Sequence, residues 1–143
     1  YRRPSMSEIK TNKLTGVSTA KTVTVTVGAT ATQSLEQGLG KAWARWDNSD
    51  NDGSGTTTPG DSFSVSSIGD DNTGSNIINL TNAMTNTNYA VVALAQYVDT
   101  NGLTIAEGPS GVTTSSYRIR TRTGTNSVYD SDFVSTVLFG DTA

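Results

Sequence analysis

The chain of 143 residues has no cysteine, no histidine and only three prolines. Without cysteine it has no disulfide framework and no thiolate to serve as ligand or nucleophile. Without histidine the commonest general base and every histidine-dependent triad are missing. No apolar run approaches the ~20 residues of a membrane-spanning helix, and the N-terminus lacks the apolar stretch of a secretory signal. Membrane insertion and export by that route are therefore not expected. Charge is sparse as well: 16% of residues are charged, the net charge is −3, and no Lys/Arg run exists to neutralise phosphates. Nucleic acid is not an expected partner.

What is abundant is small and polar. Thr, Ser, Asn and Gly make up 66 of the 143 residues, while hydrophobic residues are 34%. So little apolar material implies a thin interior, built from strands rather than helices and completed by burial against other subunits. The length fits one domain, or a small domain with an extension. Residues 1–5 (Tyr1-Arg2-Arg3-Pro4-Ser5) read as an appended remnant ahead of Met6, and removing Arg2 and Arg3 takes the net charge from −3 to −5.

Residues 6–40 read as an N-terminal arm or stalk. Thr22-Val23-Thr24-Val25-Thr26-Val27 alternates strictly, which puts Val23, Val25 and Val27 on one strand face that must dock or trimerise to be buried. Ser34 to Gly40 allows at most one helical turn before its glycines interrupt it. Residues 41–143 read as the globular domain. It opens with Lys41, Trp43 and Arg45 on one face and Ala42, Ala44 and Trp46 on the other. The Asp47–Gly60 segment has no apolar residue and reads as a surface loop. Ser62–Ile68 is expected to be one strand, joined by a turn through Gly69–Gly74 to Asn76–Leu80. Asn88–Val98 is apolar on both faces and is expected to be a central strand. Leu103–Ala106 is a weaker strand signal. Tyr117, Ile119 and Thr121 alternate with Arg118, Arg120 and Arg122, and the last strand, Asp132–Phe139, places Phe133, Val137 and Phe139 on one face. The expected fold is all-β: an antiparallel β-sandwich of seven to eight short strands with an extended N-terminal β-arm.

These segments resemble a C-terminal module of phage tail fibres and related virion structural proteins of marine and cyanobacterial phages. The resemblance is carried by Lys41-Ala42-Trp43; by Ser64-Val65-Ser66-Ser67-Ile68 followed by Asp70, Asp71 and Gly74; and by Asn79-Leu80-Thr81-Asn82-Ala83-Met84. It continues through Asn88-Tyr89-Ala90-Val91-Val92, Tyr117-Arg118-Ile119-Arg120-Thr121, Asp130-Ser131-Asp132 and Val137-Leu138-Phe139-Gly140. The opening Met6-Ser7-Glu8-Ile9-Lys10-Thr11-Asn12-Lys13-Leu14 is similar to the start of such proteins. The resemblance implies a homotrimeric appendage located on the virion, with the arm contacting other virion proteins and the domain displayed towards a host surface polysaccharide or receptor. The tail is the expected location. A capsid decoration or head fibre is the alternative, and a surface-polysaccharide depolymerase is the enzyme alternative.

Ten Asp and three Glu would allow a carboxylate pair about 5 to 10 Å apart for glycoside hydrolysis. Most of the Asp residues sit among Asn and Gly, where Asp serves turns, so no catalytic activity and no cofactor are expected. Asn48, Asp50 and Asp52, followed by Gly53, have the spacing of a calcium loop. Its twelfth position is Pro59 rather than Glu, which leaves a partial match. Arg118, Arg120 and Arg122 form a cationic row with two readings: a grip on acidic glycan, or pairing with Asp130 and Asp132 across a presumed hairpin. Pairing is the preferred reading. Among the aromatics, Trp43 and Tyr129 are the candidates for exposed stacking on sugar.

Overall fold

The computed structural model describes residues 11, 13, 23–27, 30–49, 55–96, 103–107 and 111–143. They form eleven strands and one helical turn, with every strand pairing antiparallel. The chain divides into two compact units, residues 1–36 and 37–143. In the first, β1 (Thr24–Val27) pairs with β2 (Ala31–Ser34). Over Thr24–Val27 and Ala31–Ser34 the chain is thus a paired hairpin where an extended stretch was expected. Val25 is exposed, Val23 is half-buried, and the side chain of Val27 lies outside the described residues, as does the chain through residue 10. A hairpin of two strands is marginal alone in water. The helical turn α1 (Leu35–Gly38) is as short as the glycines demand.

The second unit holds two sheets. One runs β5 (Asp61–Phe63), β3 (Ala42–Trp46), β11 (Val134–Phe139), β8 (Ala90–Ala95). The other runs β4 (Gly55–Thr57), β6 (Val65–Asn72), β7 (Ser75–Leu80), β10 (Ser116–Thr123), β9 (Leu103–Glu107). Both contribute to one hydrophobic cluster. Ala42, Ala44, Trp46, Val134 and Leu138 come from the four-stranded sheet, and Ile68, Ile78, Leu80, Tyr117 and Ile119 from the five-stranded one. Their period-two alternation puts one face of each strand in the cluster and the other outside. A buried hydrogen bond of 2.8 Å joins the Tyr117 hydroxyl of one sheet to the Thr136 hydroxyl of the other. Burial raises the pKa of Tyr117 and the bond to Thr136 acts in the opposite sense; the phenol is neutral at physiological pH.

Four expectations are corrected by the sheet topology. The Ser62–Ile68 segment is two strands rather than one. Ser64 has φ 55°, and this left-handed residue carries the chain from β5 in one sheet to β6 in the other. The segment Gly69–Asn72 is not turn but strand. The reversal is confined to Thr73-Gly74, with Gly74 at φ 65°. Asn88–Val98 supplies an edge strand rather than a central one: among the described residues β8 (Ala90–Ala95) ends its sheet, and its apolar outer face is solvent-exposed, with Val92 52% and Leu94 71% exposed. Within Asp47–Gly60, Asn48 and Thr57 are buried and β4 pairs with β6, so that segment is only partly surface loop.

Gly74 is required twice over. An alanine there would take an unfavourable positive φ, and its Cβ would lie 2.6 Å from the Thr121 carbonyl oxygen and 2.8 Å from the Tyr129 nitrogen. Both contacts are with backbone and cannot rotate away. Gly74→Ala is therefore expected to lower unfolding stability by at least about 1–3 kcal/mol, measured as a shift of the urea midpoint at constant m. A midpoint equal to wild type would show that the turn tolerates a side chain.

Candidate functional site

Strand β10 buries Tyr117, Ile119 and Thr121 and turns Arg118, Arg120 and Arg122 to the outer face of the five-stranded sheet. The three arginines line an open cleft of about 470 Å³ together with Asp71, Asn72, Thr73, Gly74, Ser75 and Val128. Register brings these residues together: Arg118 lies opposite Ile77 and Arg120 opposite Ser75 on β7. A β-bulge between Asp70 and Asn72 leaves Asp71 as the extra residue of β6. Asp71 meets Arg118 there in an ion pair of 2.8 Å.

The expected hairpin of β10 with the last strand is not formed. β10 pairs with β7 and β9, while β11 lies in the other sheet, so Asp130 and Asp132 do not oppose the arginines across a ladder. Asp130 instead accepts hydrogen bonds from the Gly74 backbone N–H and from the Asn48 side-chain amide, the latter at 3.1 Å. Asp132 makes no side-chain hydrogen bond or ion pair among the described residues. Each arginine has a different state. Arg118 holds Asp71 through Nη1, and its Nε is buried without a partner. Arg122 donates through Nη1 to the Asn126 carbonyl at 2.9 Å. Arg120 has no side-chain partner among the described residues.

A polar network continues from Gly74 through Asp130 to Asn48. Asn48 and Ser131 are fully buried. The Asn48 backbone N–H donates to the Ser131 carbonyl, and the Ser131 hydroxyl donates to the carbonyls of Gln96 and Phe133. Thr121 donates through its hydroxyl to the Tyr129 carbonyl. Tyr129 is consequently half-buried, with its backbone tied to β10, and is not among the residues lining the cleft. Asn48 belongs to this interior and not to a surface ion loop. Asp50 and Asp52, its partners in the calcium-like spacing, lie outside the described residues, and no metal-binding cluster occurs among the described ones. Asp47 accepts from the Ser49 N–H and hydroxyl, which lowers its pKa.

Trp43 lies on a different surface, the outer face of the four-stranded sheet. Cross-strand register aligns Phe63, Trp43, Val137 and Val92 in one row over all four strands, with Leu94 in the next. Phe63 is 55% and Trp43 38% exposed. Arg45 places its guanidinium 4.7 Å from the centroid of the Phe133 ring on the same surface. Phe133 and Val137, grouped in the sequence by period, therefore belong to the outer surface, while Val134, Thr136 and Leu138 point inward. Sequence reasoning missed Asp71 and Ser75 as cleft residues and Phe63, Val92 and Leu94 as exposed ones. The Asp70-Asp71 pair before Gly74 was the available signal for the first group; the second has none, because a strand apolar on both faces reads the same whether central or marginal.

Comparison with known proteins finds no matching family model, no matching curated protein and no matching solved structure.

The pKa of Asp130 is raised from its ordinary 3.8, mainly by burial and further by the Asp70 charge, against the lowering effect of the bonds from Gly74 and Asn48. A raised carboxyl pKa means the folded chain holds the proton more tightly than the unfolded one. Its contribution to stability is thus full below the ordinary pKa and declines as pH rises through the elevated value. Asp130→Asn retains an oxygen acceptor for Gly74 and cannot titrate. Its melting temperature relative to wild type is expected to rise between about pH 3 and about pH 7 in parallel thermal scans. A pH-independent difference would refute this account.

Proposed function

We propose that this chain is a non-enzymatic attachment protein of a phage particle: a β-sandwich that assembles as a homotrimer, bound to other virion proteins by its N-terminal arm and facing a host surface polysaccharide. The observation that carries this reading is the chemical division of the domain. Phe63, Trp43, Val137, Val92 and Leu94 run an apolar stripe across one outer sheet face, bordered by Arg45 and Asp61, and Arg118, Arg120 and Arg122 line a cleft on the other. An apolar patch across four strands is a surface for association, and a polar cleft on the opposite sheet is one for recognition.

Strand β8 supports self-association. Its sequence, Ala-Val-Val-Ala-Leu-Ala, has neither charge nor proline, although it ends its sheet. Such an edge invites pairing unless a partner covers it. The other edges of the two sheets are more guarded: β4 and β5 have three residues each, and β9 ends in Glu107. A partner of identical sequence meets the need in every assembled copy, and closed symmetry limits its growth. The trimer, the virion location and the placement on the tail rest on the resemblance to tail-fibre modules and are offered with it.

Sedimentation of the full chain at micromolar concentration is expected to give a species three times the 15.0 kDa chain mass. Val92→Lys with Leu94→Lys is expected to convert it to monomer with unchanged far-UV circular dichroism, because a lysine pair on the edge strand opposes both pairing and face burial. A monomeric wild type would overturn the assembly reading. Immunogold labelling of the particle tests the tail location.

A further inference from the structure

We propose that the cleft between β10 and the β6–β7 turn binds a hydroxyl-rich saccharide through a sugar carboxylate, with Arg120 as the principal anchor and Arg118 and Arg122 flanking it. This rests on the reading of the chain as a binding module and assigns the class of ligand it takes.

The anchor follows from the arginine environments. Arg120 reaches the cleft without a side-chain partner among the described residues, between two arginines that are held in place. A guanidinium fork matches the two oxygens of a planar carboxylate. Arg118 is fixed by Asp71 at 2.8 Å, and Arg122 by the Asn126 carbonyl at 2.9 Å. The flanking positive charges are therefore ordered before a ligand arrives, which reduces the entropy lost on binding. The unpartnered Nε of Arg118 adds a buried donor in the same residue set.

The rest of the lining narrows the ligand. Asn72 and Thr73 bring amide and hydroxyl groups that both donate and accept, suited to sugar hydroxyls, while the buried Ser75 hydroxyl donates to Asp71 at 3.4 Å. Asp71 sets one carboxylate among the three guanidinium groups, and the whole chain has net charge −3. Sugar hydroxyls can donate to Asp71 while a carboxylate on the same saccharide meets the arginines, whereas a phosphodiester backbone has no donor to offer that carboxylate. Among the described residues Val128 is the only apolar side chain in the lining, which disfavours a hydrophobic ligand. The cleft is open to solvent, as suits a stretch of polymer rather than an enclosed small molecule.

The test uses isothermal titration of the full chain with carboxylated oligosaccharides (oligogalacturonate, oligomannuronate and oligosialate), each beside its neutral methyl ester, and with a single-stranded oligonucleotide. At least one acidic saccharide is expected to bind saturably, with its ester and the oligonucleotide far weaker. Arg120→Gln is expected to weaken that binding about 10- to 100-fold without changing the sedimentation coefficient or melting temperature. Arg45→Gln, on the opposite sheet, is expected to leave it unchanged. Equal binding of acid and ester, preference for the oligonucleotide, or an undiminished affinity of Arg120→Gln overturns the proposal. Binding confined to neutral saccharides overturns the ligand class while sparing the binding-module reading, and binding to no saccharide at all counts against both.

Discussion

The inward commitment of one carboxylate, Asp130, organises the second unit. It accepts from Gly74 at the β6–β7 turn and from Asn48 just beyond β3, and so ties a turn of the five-stranded sheet to the chain leaving the four-stranded one. The neighbouring Ser131 extends the tie to Gln96, past the end of β8. A partly buried carboxylate must have donors, and those available here belong to the interior. With Asp130 spent on this junction, the arginine row of β10 is not neutralised from that quarter, and the nearest acid to Arg118 is the bulged Asp71.

The same junction explains why Gly74 has neither room nor the dihedral freedom for a side chain. Its nitrogen faces Asp130, its carbonyl accepts from Thr121, and its Cα faces the Tyr129 backbone. Three chain segments approach one another at backbone distance there. Close approach of this kind fixes Gly74, which lines the cleft together with the arginines of β10. The apolar face opposite has a different origin: inner positions of the four-stranded sheet are filled by Ala42, Ala44, Trp46, Val134 and Leu138, and the outer row of Phe63, Trp43 and Val92 is left outside the core.

Where alternation is strict, the sequence reads correctly. β3 alternates buried alanine and Trp46 with outward Trp43 and Arg45, and β10 alternates Tyr117, Ile119 and Thr121 with arginine, because a pleated strand sends successive side chains to opposite faces. Where both faces are apolar, as in β8, the pattern does not reveal whether the strand is central or an edge. The sheet switch at Ser64 also has no periodic signature, since the alternation of small polar and apolar residues runs across it. The presumed hairpin of β10 with the last strand failed for a related reason: proximity in sequence favours pairing, but the loop ending at Ser131 instead carries the chain to the other sheet.

The sequence by itself determined an all-β chain of antiparallel strands with minimal helix, and which residues of β3 and β10 share a face. Those properties depend on local backbone preference and period-two geometry, which any short window contains. Only the tertiary structure decided strand order, the edge position of β8, the gathering of Arg118, Arg120 and Arg122 with Asp71 and Ser75, and the inward turn of Asp130. These depend on contacts between residues far apart along the chain, among them the 82 positions separating Asn48 from Asp130, and such contacts leave no periodic mark in either segment.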